Sequence, residues 1–151
     1  MRLYLPPSLQ QVLYIIDEAI KYSLEREAFG VTLSRLPTVY NMMADMIIKV
    51  DIIATMVLRG CRLMDKYGSN AVKDAAEAKY LASEMGYEVA DKALQVLSGI
   101  GYTNKYPIES YLRFAKLGRI ASGTSEIMQY IVQRDTYKEA MGKKEAISRS
   151  V

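Results

Sequence analysis

The stretch Ser34 to Gly68, SRLPTVYNMMADMIIKVDIIATMVLRGCRLMDKYG, decides the fold class. Val39, Met43, Met46, Val50, Ile53, Val57, Cys61 and Met64 recur at three- and four-residue steps, which gathers them on one face of a helix. Pro37 is tolerated in a first helical turn and Gly68 supplies a stop. At 1.5 Å per residue the helix is about 45 Å long, the length of a bundle helix. Its other side is less ordinary. Ile48, Ile52 and Met56 form an i, i+4, i+8 ridge among Asn41, Asp45 and Arg59, on a face expected to be wet. One core cannot bury both faces, so the ridge points to another subunit or domain; the competing reading is a few tolerated exposed apolar side chains.

Upstream, Ser8 follows Pro6-Pro7 as a helix cap, and Leu9, Val12, Leu13, Ile16, Ile20 and Leu24 form the apolar face of a first helix ending near Phe29-Gly30. Downstream, Ser69-Asn70 caps a third helix to about Leu97. Its solvent stripe is read as Lys73, Glu77, Tyr80, Glu84, Glu88, Asp91 and Gln95. The other side carries Ala75, Ala78, Ala82, Val89, Ala93 and Val96, small enough for close helix approach. The segment SGIGYTNKYP at 98–107 breaks the pattern, Ile108 to Lys116 resumes it, and Gly118 with ASGT interrupts again. Thr124 or Ser125 then caps a last helix through Ile127, Tyr130, Ile131 and Tyr137. No run alternates convincingly at period two. The expectation is an all-α antiparallel four-helix bundle with a short extra helix over residues 1–140, followed by a polar tail at 141–151.

Composition narrows the function. The 151 residues are 50% hydrophobic, enough for one core, and the net charge of +3 is scattered, unlike the clustered basic stripe of a nucleic-acid binder. Histidine is absent, which removes Ser-His and Cys-His nucleophile pairs and every His-ligated zinc site. The single Cys61 allows no internal disulfide or thiolate cluster and reads as a small core residue in a reducing compartment, so no metal is expected. The start MRLYLPPSLQQ has no apolar leader, and the most apolar run, 46–58, is interrupted by Lys49 and Asp51. A soluble cytoplasmic protein without membrane or nucleic-acid partner is expected.

Three short segments carry candidate chemistry. In Glu25-Arg26-Glu27-Ala28-Phe29-Gly30, an Arg able to grip a phosphate and a Phe able to face a ring stand before a Gly that lets the chain turn. The competing reading is a helix-terminal Arg beside a core Phe. In Gln95 to Tyr102, Gly99 and Gly101 lie between helices, where backbone N–H groups can approach an anion; a plain turn is the alternative. In Ser122-Gly123-Thr124-Ser125-Glu126-Ile127, hydroxyls open a helix, as in an ordinary N-cap.

Together, in this order and spacing, these segments resemble the C-terminal helical domain of the acyl-CoA dehydrogenases. The matching pieces are DEAIKYSLEREAFG at 17–30, YNMMADM at 40–46, AKYLASEMGYEVADKALQVLSGIGY at 78–102, YPIESYLRFAKLGRI at 106–120, and SGTSEI with IVQRD beyond it. The resemblance implies a FAD-dependent enzyme in which a carboxylate removes the α-proton of an acyl-CoA thioester while the β-hydrogen passes as hydride to the flavin. It implies a homo-oligomer, dimer or tetramer, in which Arg26, Phe29 and the Gly99–Gly101 loop bind the FAD of a neighbouring subunit, while Thr124 and Ser125 lie near the flavin of their own.

Departures from the family pattern qualify the enzyme reading. The N-terminal helical and middle β-domains of the family do not precede this bundle, so the sites are expected to be completed by another polypeptide carrying them, unless the chain is a domain cut from a longer protein. The family's catalytic Glu position is occupied by Ser122, too weakly basic to take an α-proton, and no acidic residue stands before Asp17 at the family's other base position. No catalytic residue is therefore assigned. Pro37 stands where a flavin-contacting Gln is usual, Ser98 replaces the first glycine of a G-G-x-G loop, Phe114 replaces an Asp, and Arg2 lies one residue out of register with a CoA-contacting Arg. The alternative function is a non-catalytic oligomerisation or protein-interaction bundle derived from the family.

Overall fold

The computed structural model describes residues 9–149, with side chains described over 11–142. The expected cap Ser8 and the expected CoA contact Arg2 lie outside the described residues. α1 spans Leu9–Glu25; the two-residue strands β1 (Glu27–Ala28) and β2 (Val31–Thr32) form a hairpin; α2 spans Pro37–Tyr67, α3 Val72–Gly101, α4 Ile108–Gly118 and α5 Ser125–Arg149. Single 3-10 turns at Leu33–Arg35 and Gly68–Ala71 lead into α2 and α3. α5 continues to Arg149, through most of the segment read as a polar tail.

α3 is the axis of the bundle. α2 runs antiparallel to it along a ladder of ion pairs: Arg59 to Asp74 and Glu77, Lys49 to Glu88, and Asp45 to Lys92. Asp45 also accepts from Lys49; Asp45 is half-buried where a wet face was expected, whereas Arg59 is exposed as expected and still reaches across to α3. Between these pairs Gly60 is buried, and a Cβ there would lie 3.0 Å from the Cβ of Ala78, so the small residues let the two helices close up. α1 packs parallel to α3 and fills the core with Val12, Ile15, Ile16 and Ala19 against Val89, Ala90, Ala93, Val96 and Leu97.

The fourth position of the bundle is filled by two helices in tandem. α4 covers one half of α3, with Arg119 and Lys116 over the ring of Tyr87, and α5 covers the other, with Gln129 bonded to Tyr80 and Lys73 to Glu139. α1 begins beside Gly86 and leaves the opposite half of α3 without a fourth neighbour. An open apolar groove of about 390 Å³ remains there between α2, α3 and α5, lined by Met56, Tyr80, Leu81 and Val132.

The expected core stripe of α2 is buried from Val39 to Ile53, and Val57, Cys61 and Met64 are half-buried. The ridge on its other side is in the open: Ile48 is 58% exposed and Ile52 37%, while Met56 turns into the groove. The solvent stripe expected on α3 is wet only at Glu88, Asp91 and Gln95. Lys73, Glu77, Tyr80 and Glu84 are half-buried, because α5 and the Arg59 pairs draw them in. Among the described residues no helix is long and apolar enough to cross a membrane.

Candidate functional site

α1 stops at Glu25, four residues before the expected end at Phe29-Gly30, because the chain turns there into the β1–β2 hairpin. The Arg26 amide still bonds to the Tyr22 carbonyl, and the Leu33 amide donates to the Arg26 carbonyl across the hairpin's base. Glu27 pairs with Thr32 and Ala28 with Val31, which leaves Phe29-Gly30 as a two-residue loop with φ of +54° and +78°. Two positive φ values are what a type I′ loop requires, and Asn-Gly is the favoured sequence. A phenylalanine held there costs about 1 kcal/mol. Nor is it repaid by burial, because Phe29 is 95% exposed; the alternative of a core Phe is overturned. Arg26 beside it is exposed and forms no ion pair among the described residues.

The glycine segment is a helical turn beyond a kink, where a loop was expected. Ser98 adopts φ +55°, ψ −144°, after which Gly99 to Gly101 turn once more and Thr103 caps them through its amide and its hydroxyl, both donating to the Ile100 carbonyl. The two glycines differ. A Cβ on Gly101 would come within 2.7 Å of the Leu97 Cβ, so this glycine is required by packing, whereas a Cβ on Gly99 would meet nothing within 4 Å. Gly99 therefore offers open backbone to an approaching group. Tyr22 stacks edge-on against Tyr106, with centroids 6.0 Å apart, which brings the hairpin and the glycine turn to the same end of the bundle.

Thr124 and Ser125 stand elsewhere. The Thr124 hydroxyl accepts from the Ile127 amide at 3.4 Å and caps α5; Ser125 is 5% exposed and donates to Glu84 Oε1. Fourteen residues of α3 separate Glu84 from Ser98, about 21 Å along the axis. Within one chain, Arg26, Phe29, Gly99 and Gly101 thus share one end of the bundle, and Thr124 with Ser125 stand apart from them at Glu84.

The second cluster rests on buried polar chemistry. Arg119 grips Glu84 with two nitrogens, each at 2.9 Å, and Ser125 adds a third bond. Burial opposes ionisation of Glu84, yet the bonds from Arg119 and Ser125 outweigh it and hold the carboxyl below its ordinary range. Lys79, 7% exposed, donates to the carbonyls of Gly118 at 2.9 Å and Gly123 at 2.7 Å. Burial pushes its ammonium below the usual lysine value, against the attraction of Glu84 and Glu126. The loop that these residues hold contains Ser122 (φ +57°) and Gly123 (φ +102°).

Ser122 is exposed, and the nearest carboxylate in sequence is Glu126. Glu126 is exposed as well, and its carboxyl is held below its ordinary value by its own backbone amide at the start of α5 and by the Thr124 hydroxyl. A lowered value makes it a weaker proton acceptor.

Sequence reading alone missed Lys79, Ser83, Glu84 and Arg119. One signal was present: Lys79 lies four residues after Ala75 and three before Ala82, on the alanine face, where a charge has to find partners.

Comparison with known proteins agrees with this geometry. Residues 8–137 match the family model described as acyl-CoA dehydrogenase, C-terminal domain. The chain is 37% identical over 117 residues to the caffeyl-CoA reductase-Etf complex subunit CarC of Acetobacterium woodii, covering 78% of this chain and 31% of that protein. Butyryl-CoA dehydrogenase from Megasphaera elsdenii superposes with a TM-score of 0.80 at 27% identity, over 85% of this chain and 33% of that one. The FAD complex of PigA superposes equally well, TM-score 0.80 at 25% identity, over 85% of this chain and 33% of that one. The chain thus spans about a third of the length of these relatives. It belongs to the acyl-CoA dehydrogenase family and has the all-α fold of that family's C-terminal domain.

Proposed function

We propose that the bundle supplies the helical part of a FAD site in an acyl-CoA-oxidising enzyme, and that the rest of the site comes from domains outside these residues, carried by a partner polypeptide. The observation that carries this reading is Phe29: an aromatic ring 95% exposed at positive φ, at a backbone cost that no contact among the described residues repays. The residues beside it suit the cofactor. Arg26 offers an exposed guanidinium for a phosphate, Gly99 presents open backbone, and the Phe29 face suits an aromatic ring. FAD, when bound, supplies the acceptor for a hydride from the acyl chain.

Two groups attached to α3 at points about 21 Å apart along its axis fit a site shared between subunits, each chain giving the Phe29 end to one cofactor and the Thr124 turn to another. The exposed Ile48-Ile52 ridge supports a homo-oligomeric assembly of that kind. The proton acceptor then comes from outside this chain, since Ser122 cannot serve and Glu126 is weakened. The test is reconstitution. Mixing the chain with a polypeptide carrying the N-terminal and middle domains is expected to yield bound flavin and acyl-CoA-dependent dye reduction; no association at micromolar concentration overturns the reading.

A second reading is a non-catalytic interaction bundle, which Ser122 at the family's base position and the apolar ridge favour. It predicts a colourless oligomer whose melting temperature FAD leaves unchanged, since a ligand of the native state must raise it.

A further inference from the structure

We propose that Lys79 is a positioning residue whose ammonium clips together the two ends of the loop between α4 and α5, and so sets where residues 122–124 stand. An ammonium on a face built of Ala75, Ala76, Ala78 and Ala82 is an expensive way to fill space, and a well-packed apolar side chain there would be as stable or more so. What it does that an apolar side chain cannot is bond the carbonyls of Gly118 and Gly123, which flank the loop. Ser83 Oγ lies 3.0 Å from the same Gly118 carbonyl and 2.8 Å from the Lys79 carbonyl, so its single proton is shared between the two and Lys79 is the undivided donor to Gly118. The Gly123 carbonyl lies immediately before Thr124, in a segment whose φ values of +57° and +102° place it outside any helix that would bond it otherwise.

Five residues further along α3, Glu84 holds the same loop from its other side through Arg119 and Ser125. The Ser125 amide closes the loop on the Arg119 carbonyl at 3.0 Å. α4 and α5 are thus two helices in tandem whose junction is fastened to α3 at two points, with Ser122 exposed and Gly123 and Thr124 half-buried in the turn between them. That this turn meets a flavin rests on the reading above; that Lys79 fixes the turn does not.

The test compares wild type, Lys79→Met and Lys79→Arg by amide hydrogen exchange at Ser125, with Ala93 in the core of α3 as internal reference. Lys79→Met is expected to speed exchange at Ser125 by roughly tenfold or more while Ala93 stays unchanged, and Lys79→Arg to restore part of the protection. Equal acceleration at both amides means a structural role only, and no change at Ser125 means no clip; either overturns the proposal. Should Lys79→Met fail to fold, the wild type decides. Slowly exchanging Nζ protons with cross-peaks to the α-protons of Gly118 and Gly123 support the clip, and their absence refutes it. FAD titration of the reconstituted mixture is a separate arm. If wild type binds no flavin, the functional reading fails while the exchange result stands or falls alone.

Discussion

The rings of Tyr22 and Tyr106 meet edge to face at 6.0 Å, and this contact joins the end of α1 to the segment that follows α3. It is the reason that Phe29 and Gly99, 70 positions apart in sequence, share one end of the bundle. Both tyrosines are half-buried. Tyr106→Ala is expected to lower stability by about 2 kcal/mol, part from area and part from the aromatic pair. The loss is read from the urea midpoint at unchanged slope.

Phe29→Asn separates stability from binding. Asn-Gly is the sequence the loop geometry prefers, so the variant is expected to gain about 1 kcal/mol in chemical denaturation. In the reconstituted mixture the same variant is expected to bind FAD more weakly. A loss of stability in the variant contradicts the account of the loop.

Ser98→Gly follows from the same reasoning at the kink. With φ +55° and ψ −144°, Ser98 occupies backbone space that glycine enters freely. The substitution is expected to stabilise the chain by about 1 kcal/mol, measured as a raised denaturation midpoint. Gly101→Ala is expected to do the reverse, because its methyl would stand 2.7 Å from the Leu97 Cβ.

Glu84 gives a pH signature. Its carboxyl titrates below the unfolded value because the bonds from Arg119 and Ser125 outweigh burial, so the native state binds fewer protons there than the unfolded chain. The stabilisation is present above the unfolded carboxylate pKa and is lost as pH falls through the depressed native value. Ser125→Ala removes one of the bonds and is expected to shift acid unfolding to higher pH, followed by circular dichroism.

The bundle was largely legible in the sequence because its helices are long and their periodicity strong: Val39, Met43, Met46, Val50 and Ile53 are buried as the spacing requires. The alanine face of α3 is buried for the same reason. Legibility failed where tertiary contacts override local pattern. Four charged or polar residues of α3 look solvent-facing until α5 and the Arg59 pairs cover them, and Lys79 hides among alanines because its partners are carbonyls 39 and 44 positions away. The strain at Phe29, Ser98 and Ser122 was invisible for another reason: each is an ordinary residue type in a conformation that only its surroundings impose. The candidate residues and their division into two groups were visible through the motif set, but that one group stands at the end of α3 and the other against its middle, at Glu84, needed the fold.

The central claim is tested most directly by the visible spectrum of the chain, purified alone and after mixing with a polypeptide that carries the N-terminal and middle domains of the family. A colourless chain that acquires flavin absorbance and bleaches with acyl-CoA only in the mixture, and does neither well as Phe29→Asn, is the predicted result. Oxidation of an acyl-CoA thioester by the chain alone, or a mixture that stays colourless, contradicts it.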